Sequence, residues 1–144
     1  MKKYELTDET IQIGEKTLYR IRALRDFSNV KAGDLGGYIA SEKNLSHDGN
    51  CWVYDDAVVT DNANVSGNAR VTDNAWVTNN VSVNDNALVC DDSMLCGDIL
   101  LLDNVVVSEN TRISGKVTLK NDTVLSSSVY ISGNVIIDST IVVK

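Results

Sequence analysis

From Val53 to Val143 every sixth residue is aliphatic, sixteen times without interruption. Two positions earlier in each hexad stands a second, mostly small column, which runs from Cys51 through Ala57, Ala63, Ala69 and Ala75 to Ile141. Two inward residues flanking one outward residue make a short strand of period two. The Asp, Asn or Gly that follows, as in Asn62-Ala63-Asn64-Val65-Ser66-Gly67, tolerates the tight backbone of a turn. A strand and a turn in six residues bury nothing alone, so the hexads must stack in parallel into a solenoid with a continuous core. The pattern predicts an all-β protein with its repeat over residues 45–144.

Residues 1–44 lack the six-residue period. Tyr4-Glu5-Leu6 and Thr10-Ile11-Gln12-Ile13 read as strand, Gly14-Glu15-Lys16-Thr17 as a turn, and Leu18 to Leu24 as a returning strand. A loop with Gly33, Gly36 and Gly37 then leads into the first coil. The block is expected to be an N-terminal β-hairpin cap over the open end of the solenoid. On this reading His47 takes the inward column position before Val53.

The paired columns, for example Val65 with Ala69, resemble the hexapeptide-repeat superfamily. That resemblance implies a left-handed parallel β-helix with three hexads per triangular coil, hence about five coils here. Ser66 and Thr72 depart from it where Gly is common, and Ile99 and Ile141 overfill a small site. The run Leu18-Tyr19-Arg20-Ile21-Arg22-Ala23-Leu24-Arg25-Asp26-Phe27, followed by Gly33-Asp34-Leu35-Gly36-Gly37-Tyr38-Ile39, resembles the leading block of uncharacterised bacterial and phage proteins with irregular hexads.

With three hexads per coil, residues 18 apart stack at about 4.8 Å. Each face then shows one outward column. The first face reads Val58, Trp76, Met94, Arg112 and Tyr130, and the second Trp52, Arg70, Leu88, Val106, Val124 and Val142. The third reads Asn64, Ser82, Leu100, Thr118 and Ile136. Continuous apolar stripes of this kind are seldom left wet. Trp52, Val58, Trp76, Leu88, Met94, Val106, Val124, Tyr130 and Val142 are therefore expected to form the interface of a homodimer or homotrimer. The apolar stretch Thr140-Ile141-Val142-Val143-Lys144, without a polar cap, adds to that expectation.

Charge sharpens the picture. Of 13 Lys/Arg and 20 Asp/Glu in the 144 residues, residues 1–44 hold eight and seven, leaving five and thirteen for the repeat, a net of +1 against −8. An acidic rod disfavours nucleic acid and anionic membranes and suits a basic partner. Asp55, Asp56, Asp73, Asp91, Asp92 and Glu109 share the corner after the second face and are the candidate partner-binding ridge. The alternative is that Asp is simply a good turn residue. No apolar run is long enough to cross a membrane and no secretory signal is visible, so a cytoplasmic location is expected. Three scattered cysteines, Cys51, Cys90 and Cys96, give no disulfide framework.

Catalytic signals are sparse. Hexapeptide-repeat acyltransferases, which the rod resembles, use a His base and a projecting loop. Here the hexads run without insertion and His47 is the one histidine, which also excludes the three-His zinc site of carbonic-anhydrase-like relatives. No cofactor, metal or catalytic residue is therefore expected. The reading is a non-enzymatic, oligomeric protein-binding scaffold, most specifically a phage or prophage inhibitor docked on a bacterial nucleic-acid-handling or defence enzyme. Two alternatives stand beside it. One is an acetyl-CoA-dependent acyltransferase, and the other a nucleotide-signal sponge using Arg20, Arg22, Arg25, Arg70 and Arg112.

Overall fold

The structure, a computed structural model, describes residues 2–138 and the backbone of Val142–Val143. Strands β1 (Tyr4–Ile13) and β2 (Lys16–Ala23) form an antiparallel hairpin, with a register shift between Leu6 and Thr10. Strand β3 (Leu35–Ile39) pairs antiparallel with β2 on one side. On its other side it pairs in parallel with Val58–Val59. It is thus both the last strand of the cap and the first level of the solenoid.

Beyond β3 the chain winds through short parallel strands. On each face residues 18 apart are partners, as in Trp52↔Arg70↔Leu88↔Val106↔Val124 and Asn64↔Ser82↔Leu100↔Thr118↔Ile136. The stack makes about six turns, one more than the hexads alone predict, because residues 36–45 already form a level. The inward columns are closed to solvent: Ala57, Val59, Val65, Val71, Val77, Val83, Val89, Leu101, Val107, Leu119 and Leu125 have no accessible surface.

The first coil is longer than the others. Tyr38 pairs with Val58 and Leu45 bridges Val65, a spacing of twenty, whereas Trp52 pairs with Arg70 at eighteen. Two additional residues therefore lie between Leu45 and Trp52. Leu45, fully buried, takes the column position expected of His47, and His47 is displaced to the edge of the coil. Asn44, at the end of a 3-10 turn over Glu42–Asn44, is also fully buried. Its Oδ1 accepts from Ala40 and Ser41 N–H, and its Nδ2 donates to the carbonyls of Asp61 (3.2 Å) and Ala63 (2.7 Å).

Corner chemistry explains the Asp-rich hexads. Asp55, Asp73, Asp91, Glu109, Asp61, Asn79, Asp85, Asp103 and Asn121 all lie in the left-handed region, with φ between 53° and 63°. Asp and Asn tolerate that conformation best after Gly. At one corner the chain passes instead through Gly97, Gly115 and Gly133, and two strands, Met94–Leu101 and Arg112–Leu119, run across it unbroken. A Cβ at Gly97 would stand 2.5 Å from the Gly115 carbonyl oxygen, so the two levels approach only because no side chain intervenes.

Two expected interface residues are interior. Trp52 is 1% exposed and packs edge-on against Phe27 (5.2 Å between ring centres) and Tyr4 (6.1 Å). Val58 is 2% exposed, enclosed by Leu18 and Tyr38 with Ile11, Ile13 and half-buried Trp76 around it. The N-terminal block covers both, because it lies along the sides of the first levels as well as across the end. Leu88, Val106 and Val124 remain half-buried outward residues, and Met94 and Tyr130 are exposed. The Val142 side chain and residues 139–141 and 144 lie outside the described residues.

Candidate functional site

The acidic corner is a hydrogen-bonded ladder. Asp73 N–H donates to Asp55 Oδ2 (3.3 Å), Asp91 N–H to Asp73 Oδ2 (3.0 Å) and Glu109 N–H to Asp91 Oδ2 (2.8 Å). The same step recurs at the other corners, from Asn79 to Asp61 and from Asp103 to Asp85. A left-handed turn points its N–H along the stack, where the carboxylate of the preceding level accepts it. Asp73, Asp91 and the Cys90 thiol bring ligand atoms within 4.8 Å of one another. Burial, followed by the charges of Asp91 and Asp73, pushes the Cys90 thiol up to about 11, so it stays protonated, and both carboxylates are engaged in the ladder. Asp56 pairs with Arg20, while the Asp92 main-chain carbonyl accepts from Arg112.

The arginines do not converge. Arg20 is the most heavily bound: it reaches Glu9 (2.7 Å), Asp56 (3.0 Å), Tyr38 Oη (2.6 Å) and the carbonyls of Gly36 and Asp55. Its hydrogen bonds hold the Glu9 carboxyl below its ordinary range, those from Arg20 and then Tyr38 contributing most. Arg22 is bound twice by Glu5, and Arg25 lies over the Phe27 ring. These contacts fasten the cap.

His47 is equally committed. Its ring stacks on Tyr4 at 4.1 Å, Nδ1 accepts from the Lys3 N–H (3.1 Å), and Nε2 lies 2.7 Å from Glu42. With Nδ1 used as an acceptor, Nε2 carries the proton, so neither nitrogen is free to take one from a substrate. Beside it lies a feature that the sequence reading missed. Lys3 is completely buried, its Nζ donating to the Cys51 carbonyl (2.7 Å), the Gly49 carbonyl and the Cys51 sulfur (3.3 Å). Burial lowers the Lys3 pKa and raises that of Cys51, which leaves a polar seal with no reactive thiolate. The one mark of it in the sequence is the small column beginning with Cys.

One open surface of a size suited to a ligand lies at the glycine corner. A groove of about 600 Å³ runs past Asn62, Asn79, Asn80 and Asp98 over the bare backbone of Gly97 and Gly115. Lys16, from the tip of the hairpin, overhangs it and is ion-paired with Asp61. Asn80 Nδ2 donates to Asp98 (3.0 Å), so the amides climb the groove level by level.

No family model matches the chain. Over 67 residues it is 39% identical to the uncharacterized acetyltransferase YdcK of Escherichia coli (strain K12), a stretch covering 41% of this chain and 21% of that protein. The chain thus matches about a fifth of that relative's length. This likeness and the stacked solenoid together fit a hexapeptide-repeat superfamily. No helix among the described residues is long and apolar enough to cross a membrane.

Proposed function

We propose that the chain is a solenoid of the acyltransferase type and that the glycine-corner groove holds the acyl donor, acetyl-CoA. The likeness to an acetyltransferase carries this reading, which displaces the non-enzymatic scaffold as the leading one. The groove supports it chemically. Asn62 offers a side-chain donor and acceptor, and Asn80, whose Nδ2 is given to Asp98, an acceptor oxygen, both suited to the amides of an extended thioester arm. Gly97 and Gly115 line the groove with main chain, and Lys16, ion-paired with Asp61, stands at one end. His47 is not the base of this site, because both its nitrogens are engaged.

Titration calorimetry with acetyl-CoA tests the reading. A saturable heat is expected, weakened roughly tenfold by Lys16→Gln combined with Asn80→Ala. Absence of heat overturns the function, and heat unchanged in the double variant overturns the groove as its place.

A self-associating scaffold is the second reading, favoured by the 78% exposure of Tyr130 and the 73% exposure of Ile136. Light scattering that returns the mass of one chain rejects it. The narrower role of a phage inhibitor would dock the acidic corner on a basic groove, and no observation on that corner favours it over the ladder.

A further inference from the structure

A second groove, of about 460 Å³, lies over the second face where the N-terminal block ends. Its floor holds Arg70, whose lower neighbour Trp52 is covered by the cap and whose upper neighbour is Leu88. Every other arginine of the chain is engaged by a carboxylate or a carbonyl. The Arg70 side chain has neither a hydrogen bond nor an ion pair with any described residue. One wall is a stack of amides, Asn50, Asn68 and Asn86, at consecutive levels of one corner. The opposite wall is Tyr54, whose hydroxyl donates to Asn29 Oδ1 (3.0 Å).

The wall on the cap side is a tight turn. Phe27 and Val30 exchange both backbone hydrogen bonds (2.9 and 2.8 Å) around a turn in which Ser28 adopts φ 49°. The side-chain amides of Asn50 and Asn29 donate to no described group, and the Asn86 side-chain oxygen accepts from none. The groove therefore presents one unpaired guanidinium amid neutral donors and acceptors, at a volume within the range of small-ligand sites.

We propose that this groove binds a polyhydroxylated carboxylate of the sugar-acid type. A guanidinium fork matches a single carboxylate in two parallel hydrogen bonds. Paired amides at neighbouring levels match hydroxyls, each of which both donates and accepts. The Tyr54 ring offers an apolar face to the C–H side of a sugar ring. A polyphosphate fits poorly, since Arg70 is the one cation lining the groove and the protein carries a net charge of −7. The site is separate from the acyl-donor groove and independent of its chemistry.

A nitrogen-15 NMR titration of the whole chain, without coenzyme A, tests this with glucuronate, glucose, acetate, inorganic phosphate and a galacturonate trimer. Glucuronate should give saturable shifts at Arg70, Asn68 and Asn29, with Arg70→Gln weakening binding roughly tenfold. Arg70→Gln lies on the surface, and an unchanged melting temperature confirms that the fold persists. Glucose or acetate should bind at least about tenfold more weakly than glucuronate, since each lacks one of the two recognised features. Tighter binding of the trimer than of glucuronate supports the proposal with a polymer as source, and equal binding supports it with a free sugar acid. No saturable shift with any probe, phosphate binding tighter than glucuronate, acetate matching glucuronate, or Arg70→Gln without effect overturns it.

Discussion

Trp52 and Leu88 stand two levels apart on one outward column, yet Trp52 is sealed beneath Phe27 and Tyr4 whereas Leu88 is only half-covered. The repeat assigns both residues the same environment, and what separates them is whether the non-repeating block passes over that level. The capped end is held by specific polar contacts, with Arg20, Lys3, Asn44 and His47 each fully committed. The later coils are held by apolar columns and by one carboxylate-to-amide step repeated at the corners. A cap built this way converts a potential interface into interior, so outward apolar residues report an interface only where the cap does not reach.

The comparison breaks most directly at the shared column. Trp52→Ala should destabilise the chain by about 3–5 kcal/mol, whereas Leu88→Ala should cost about 1 kcal/mol, both read from urea unfolding. Equal losses would show that the cap adds no burial.

A smaller effect separates the two views of the acidic corner. Asp91→Ala removes the acceptor for the Glu109 N–H and sets Ala at a left-handed φ of 58°, and should cost about 1–2 kcal/mol, while Asp91→Asn keeps both an acceptor oxygen and a residue that tolerates that φ and should be close to neutral. Thermal melts of the two variants decide. A loss in Asn equal to that in Ala would mean that charge matters there more than the ladder.

The smallest expected effect is on pH. Glu9, held down by Arg20 and then Tyr38, Glu42, held down by His47 and then Lys2, and Asp61, held down by Lys16 and then the Asn79 N–H, all have lowered pKa values. A carboxyl depressed in the folded state contributes stability that is present above its unfolded pKa and lost as pH falls through the folded value. Because all three fasten the cap region, protection of amides from Tyr4 to Ala23 against hydrogen exchange should fall below about pH 4 before that of the coils. Simultaneous loss in both regions would show cap and coils to be one cooperative unit.

Much of the fold was legible because its rule is local and repeated. The six-residue column identified the buried residues from Val53 to Leu125, and the period of 18 assigned every outward residue of the regular coils to its face. The first coil escaped because its two additional residues break the count ahead of the regular repeat. Ile39 and Leu45, themselves six apart, were the trace of the missing level. The glycine corner was visible as Gly97, Gly115 and Gly133, but the groove it opens was not, since Lys16 reaches it from the hairpin. The Arg70 groove was hidden for the same reason: its far wall is Ser28 and Asn29, which no period connects to Asn50 or Asn86.

The longer first coil has one more consequence. Levels two to five are near copies, so a strand docked one whole turn too early would still bury an aliphatic column and find an Asp or Asn at its corner. Only the first level has a spacing that no other can imitate, and only there does an interior Asn44 need the particular carbonyls of Asp61 and Ala63. It serves as a bookmark, giving a chain of interchangeable turns a single page from which to start counting.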